Sequence, residues 1–285
     1  MKIANQYISA SFKPKGAELT SLKKNGQEYL WQANPRHWGR HAPVLFPFVG
    51  KLKKDQYHYR DKIYEMSQHG FARDHEFNLI EHTGDQVSFE LKSSDQTLKI
   101  YPFSFSLVIS YRLEDSALRT SYKVFNAGKS EMYFSIGGHP AFNCPMSAEE
   151  LRSDYRIKFD QAENLETHLL DGGLFSGQTE PLKMEDQRLP ITDHLFDKDA
   201  LVFKNLKSQK VSLQSSDHNW LTFHFEGFPY LGIWSKSSES PFICIEPWHG
   251  LAGSSAHSMN LIVKEGIKTL PSKEYFECSY LVELH

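Results

Sequence analysis

The stretch that most restricts the fold is a pair of alternating runs between residues 103 and 124. Phe103, Phe105, Leu107, Ile109 and Tyr111 occupy every second position. A period of two puts all five side chains on one face of a strand. Glu114-Asp115-Ser116 then supplies turn residues. Leu118, Thr120, Tyr122 and Val124 alternate back, and Asn126-Ala127-Gly128 turns the chain again. Such a meander commits the chain to an antiparallel sheet.

Weaker copies of this pattern recur from end to end. Ile8, Ala10 and Phe12 alternate, and Asn25-Gly26 suits a tight hairpin because both residues tolerate positive φ, with Tyr29-Leu30-Trp31 as the return strand. Tyr57-His58-Tyr59 and Ile63-Tyr64 read as a small hairpin. Thr83-Gly84-Asp85-Gln86 separates two further apolar runs. The expected closing strands are Leu261-Ile262-Val263, Ile267 and Phe276 to Val282. Aromatic residues make up 13% of the chain, which favours strands over helices. One helix start is expected, at Ser147-Ala148-Glu149-Glu150, which fits a capping box. No fixed repeat or low-complexity linker divides the 285 residues. The expectation is one all-β domain over residues 1–285, a large antiparallel sandwich or Greek-key barrel with very little helix.

Charge and cysteine usage narrow the setting. A formal net charge of −3 gives no electrostatic case for nucleic acid or an anionic membrane as partner. Cys144, Cys244 and Cys278 are odd in number and widely spaced, which suits neither a disulfide framework nor a zinc site and points to a reducing compartment. The first residues turn polar too early for a signal peptide, and no window approaches eighteen apolar residues. A soluble cytoplasmic protein, monomer or homodimer, is expected.

The candidate chemistry sits in four irregular patches that a β-sandwich does not need. Ser240-Pro241-Phe242-Ile243-Cys244-Ile245-Glu246-Pro247-Trp248-His249-Gly250 reads as a buried strand ending on a carboxylate, with Pro247 expected to stop it. A carboxylate there is expensive unless paired or used. The other patches are Arg40-His41, His69-Gly70-Phe71-Ala72-Arg73 and Gly138-His139-Pro140. Each has a plain structural alternative: a capped strand end, a core histidine on a carbonyl, a surface ion pair. Together they permit one economical chemistry, a His acid and a Glu base with Arg and a second His holding oxygens. The serine-nucleophile elbow and the phosphate-cradling glycine loop are both missing. There is no H-x-H metal signature among the 14 histidines, and His37 and His41 lie in a Pro/Gly-rich segment unsuited to a helix. Neither a metal nor a cofactor is expected.

These motifs resemble the aldose 1-epimerase (galactose mutarotase-like) family, and within it the LacX-like branch. The resemblance rests on Gly39-Arg40-His41-Ala42-Pro43-Val44-Leu45-Phe46-Pro47, His69-Gly70-Phe71-Ala72-Arg73, Gly138-His139-Pro140-Ala141-Phe142-Asn143 and Glu246-Pro247-Trp248-His249-Gly250, in the family's order. It implies a galactose-mutarotase-like β supersandwich with an open sugar cleft and no cofactor. It implies Glu246 as the base at the C1 hydroxyl and His139 as the acid at the ring oxygen. It implies Arg40 and His69 as holders of sugar oxygens, and an Asp for hydroxyls at Asp199, with Asp197 close enough to compete. Trp248 is a candidate stacking surface or a ring packed beneath the cleft. The substrate implied is a small-molecule sugar, an aldohexose or its phosphate. For a 6-phosphate, Arg73, Arg36 and Lys51 are the candidate cations. The residues after Glu246 and around His139 depart from galactose mutarotases proper, which bears on sugar specificity. A non-catalytic carbohydrate-binding protein is the reading from another class. On residue types, His139 is expected to be shifted upward and Glu246 kept ionised, with Arg40 the candidate cation beside it.

Overall fold

The computed structural model describes residues 1–216, 218–256 and 258–285. The meander forms as its period requires. Strands Phe105–Glu114 and Ala117–Asn126 pair antiparallel along their full length, with Asp115 in the left-handed region at the turn. They sit inside a nine-stranded antiparallel sheet that runs from Arg188–Pro190 at one edge to Asn78–His82 at the other.

A second, six-stranded sheet carries the patches singled out above. Its spatial order is Leu201–Lys204, Tyr230–Trp234, Phe242–His249, Ile136–Gly138 and Val44–Leu45, with Ala141–Asn143 also paired to Phe242–His249. Rings from the two sheets meet between them, Phe142 on Phe223 at 6.2 Å and Phe159 on Phe203 at 6.0 Å. One core cluster reaches from Ile3 to Leu284, so both chain ends close the same apolar interior. The architecture is all-β and antiparallel, as expected.

The helix appears elsewhere than expected. The one α-helix among the described residues is Asp95–Ile100, capped reciprocally by Ser94 and Thr97. Residues 147–150 form only turns and bends. There the Glu150 carboxylate accepts from the Tyr155 hydroxyl instead of reaching back to Ser147, so the second half of the cap is never made. Leu261–Val263, expected as a strand, is a 3-10 turn because the Asn260 side chain accepts from Ile262 N–H at 3.0 Å. The return strand of the Asn25-Gly26 hairpin is Gln27–Glu28, two residues earlier than expected. No helix among the described residues is long and apolar enough to cross a membrane.

Pro247 does not end its strand: Phe242–His249 continues through it, every residue buried. Ile245 N–H points toward the Ile136–Asn143 side and bonds Pro140 O at 3.3 Å. Two residues on, Pro247 N faces the same side. That side is interrupted at His139-Pro140, between Ile136–Gly138 and Ala141–Asn143. The missing donor falls where no ladder bond is required.

Candidate active site

The interruption that tolerates Pro247 also frees His139 from the ladder, directly beside Glu246. His139 Nε2 lies 3.3 Å from Glu246 Oε1, and both side chains are almost completely buried, 8% and 2% exposed. They open onto a cavity of about 270 Å³, lined also by Trp38, His69, Arg73, Asp199, Trp234 and Trp248. That is near the lower end of ligand pockets, roughly 300–1,000 Å³, and suits a monosaccharide-sized guest.

Each wall has a local cause. Glu18, buried, accepts from His41 N–H at 2.8 Å and Ala42 N–H at 3.0 Å, and so pins the loop that carries Trp38. Trp31 Nε1–H donates to Trp38 O at 2.8 Å. The Trp38 ring then lies stacked on His139, centroids 4.9 Å apart and planes at 25°. Trp234 meets the same imidazole edge-on at 5.7 Å. His69 and Gly70 are both left-handed, and a Cβ on Gly70 would stand 2.3 Å from Phe46 O, so only glycine fits there. This turn aims His69 into the cavity. Its Nδ1 accepts from Gly50 N–H at 3.1 Å, so the neutral ring carries its proton on Nε2.

The floor is Trp248. Its indole packs among Leu45, Val49, Phe175, Val202 and Leu251. It lies so close to Gly232 that a Cβ there would come 2.3 Å from the ring. Of the two alternatives in the sequence, the ring is packed beneath the cleft, with part of its surface lining it. Asp199, left-handed at φ 80°, lines the cavity and its Oδ1 accepts from Ala200 N–H at 2.8 Å. Asp197 faces away and pairs with His194 at 2.8 Å.

Arg40 is placed differently from expectation. It does not line the cavity. Its Nη2 bonds Asp74 Oδ1 at 3.0 Å, in a neighbouring surface depression beyond Trp38 and Arg73. Arg73 takes the inner position, with Nη2 donating to Gln68 O at 2.6 Å, and with Nε buried 3.8 Å from Asp74 Oδ2 and without a hydrogen-bond partner among the described residues. Lys51 packs beside Gly173 at the mouth, and Arg36 is exposed on the outer loop. Trp38, Trp234 and Gln68 were missed in the sequence. A Trp inside a Pro/Gly-rich polar segment was the available signal for the first.

The electrostatics also reverse an expectation. Burial pushes His139 down to about 3, helped by the Arg73 and Arg40 charges and opposed by its own carbonyl. Burial likewise holds His69 well below the usual histidine range, with His139, Arg73 and Arg40 adding to it. Glu246 is held well above the usual carboxylate range, first by burial and then by the Asp199 charge. The Trp248 N–H opposes this, but is not aligned for a full hydrogen bond: both Trp248 Nε1 and Glu246 Oε2 lack a partner among the described residues. Among the described residues no cation offsets the Glu246 desolvation, and Arg40, the expected one, pairs with Asp74 instead. A lone charge on either residue is penalised, so the pair is most stable holding a single proton between them.

The aldose 1-epimerase family matches residues 1–259. Protein LacX of Lactococcus lactis subsp. lactis, the chromosomal form, is 37% identical over 297 residues, covering 99% of each chain. The galactose mutarotase related enzyme of Lactobacillus acidophilus superposes with a TM-score of 0.95 at 34% identity, covering 100% of this chain and 97% of that one. A galactose mutarotase-like protein of Lactobacillus casei gives 0.93, also at 34% identity, covering 100% and 99%. A paired carboxylate and imidazole in a sugar-sized cavity, on this sheet arrangement and with matches of this length, places the chain in the aldose 1-epimerase family.

Proposed function

We propose that the protein is a cofactor-independent isomerase that interconverts the α and β anomers of an aldohexose. The observation that carries this is the buried His139–Glu246 contact at 3.3 Å, opening onto the cavity. Ring opening must remove a proton from the C1 hydroxyl and add one to the ring oxygen. A pair sharing one proton does both without creating a net charge in a dry site. Glu246 takes the hydroxyl proton as His139 delivers its own to the ring oxygen. The C1–C2 bond of the aldehyde rotates, and closure by the reverse transfers gives the other anomer. Trp38, stacked on His139, favours the imidazolium form through its π face. His69 Nε2–H and Arg73 donate to sugar oxygens, and Asp199 accepts from hydroxyls. Trp248 offers part of its face to sugar C–H groups.

This reading treats residues 1–285 as one domain, supported by the core cluster that joins both ends and by cavity residues drawn from 38 to 252. The three cysteines are unbridged, which supports a reducing, cytoplasmic setting. A second reading, a hexose 6-phosphate as substrate, is favoured by Arg73, whose partly unsatisfied guanidinium already lies in the cavity.

Polarimetry on freshly dissolved anomers of glucose, galactose and their 6-phosphates tests both. Acceleration of a free hexose supports the first reading, and acceleration of the phosphates alone supports the second. Glu246→Gln is expected to lower the rate by roughly 10²–10⁴ while leaving the fold intact. Binding of sugars with no rate above the spontaneous one would make the protein a carbohydrate-binding module instead.

A further inference from the structure

One buried nucleophilic group has no part in this chemistry. Cys244 precedes Glu246 by two residues on Phe242–His249, so the two side chains share a face. Its thiol packs beside Trp31, Ala141 and Phe242, and a small apolar residue would fill that space equally well. Yet one ligating atom each from Cys244, His139 and Glu246 lies within 4.8 Å of the other two.

We propose that Cys244, His139 and Glu246 form a capture site for a thiophilic divalent cation, zinc or cadmium, which occupies the acid–base pair and stops turnover. Zinc bound to nitrogen and oxygen at about 2.0–2.2 Å requires those ligand atoms to be about 3.3–3.5 Å apart for tetrahedral geometry. His139 Nε2 and Glu246 Oε1 are already 3.3 Å apart. The sulfur, with a longer bond of about 2.3 Å, completes three ligands of the types zinc prefers. A second observation is independent of that spacing. Glu246 Oε2 is buried and has no hydrogen-bond partner among the described residues, so the carboxylate has unused acceptor capacity. Cys244 binds as the thiolate, releasing its proton to solvent. The metal replaces the proton shared by His139 and Glu246, so the captured protein has neither acid nor base.

Calorimetric titration with zinc chloride and ultraviolet titration with cadmium chloride test this on the whole protein, with magnesium chloride as the control. Wild type is expected to bind one zinc and to show a thiolate-to-cadmium absorption band. Zinc should inhibit anomerisation, and EDTA should restore it. Cys244→Ala is expected to weaken zinc binding by about 10–100-fold and to abolish the band. The metal-free rate should be unchanged. If that variant fails to fold, Cys244→Ser keeps the volume and loses the soft ligand. Glu246→Gln should weaken zinc binding in the same titration. An unchanged zinc affinity in the Cys244 variants, a cadmium band that persists in them through Cys144 or Cys278, or no zinc uptake by wild type would each overturn the site. The binding readouts need no sugar, so they stand or fall apart from the anomerase reading.

Discussion

The backbone N–H of Gly50 donates to Nδ1 of His69 at 3.1 Å and thereby puts the proton of the neutral ring on Nε2, which lies 3.3 Å from the Gln68 side-chain amide. If Nε2–H holds a sugar oxygen, removing it should weaken sugar binding more than turnover. His69→Asn keeps a residue type that tolerates the left-handed backbone there. We expect kcat/KM to fall by about tenfold, mostly through KM, in steady-state polarimetry. A change below about twofold would remove His69 from the substrate contacts.

The shared proton makes a prediction about pH. The pair gains a second proton only as pH falls toward the depressed His139 value of about 3. It loses its only proton as pH rises through the Glu246 value, which burial raises well above 4.5. Between those limits kcat/KM should be flat. Profiles should show no loss of rate on the acid side at the ordinary histidine value of about 6.5, down to about pH 4. A fall in rate toward acid with a midpoint there would mean that His139 titrates like an exposed imidazole.

Acid should unfold the protein through its buried imidazoles. Burial pushes both His139 and His249 down to about 3, and His249 is wedged between Phe228 at 4.7 Å and Phe276 at 4.9 Å. Below about 6.5 the unfolded chain takes up protons that the folded one refuses. Stability therefore falls as pH drops, by up to about 1.4 kcal/mol per pH unit for each histidine. Glu246 acts with the opposite sign: its folded value is raised, so its contribution is lost as pH rises through that value. His249→Leu should flatten the acid slope of urea midpoints by about one histidine's share. A slope identical to wild type would show that His249 is charged in the fold.

The floor of the cavity tolerates little. Gly232→Ala would place a Cβ 2.3 Å from the Trp248 ring. We expect a loss of about 1–3 kcal/mol in chemical denaturation and weaker sugar binding, because Trp248 must move to make room. Gly84→Ala, with nothing within 4 Å of the added methyl, is the control and should stay within about 0.5 kcal/mol of wild type.

Much of this was legible because the signals were local. The alternation from Phe103 to Tyr111 needs only its own period to name a strand, and Asn25-Gly26 needs only two backbone angles. Glu246 stood out because a carboxylate in a buried run demands a reason. The rest depends on which segments meet. Arg40 and Arg73 look alike in sequence, and Asp74 pairs with both, yet only Arg73 reaches the cavity. Trp38 reaches His139 from a loop that Glu18, twenty residues earlier, holds at His41 and Ala42 and that Trp31 holds at Trp38 itself. The protonation of Glu246 and His139 was misread for the same reason: residue type sets the starting value, and burial then moves both the other way.

The gap at His139-Pro140 is a skipped rung and not a bulge. Gly137 faces Trp248 and Ala141 faces Cys244, so four residues forward on one side match four back on the other. Parity is kept across the gap. Most connections in such a fold absorb an added residue at little cost. Here one insertion or deletion would turn Phe142 out of the core and Asn143 into it, or swing His139 away from Glu246. The two residues between these short strands have a fixed length, because counting places the acid opposite the base.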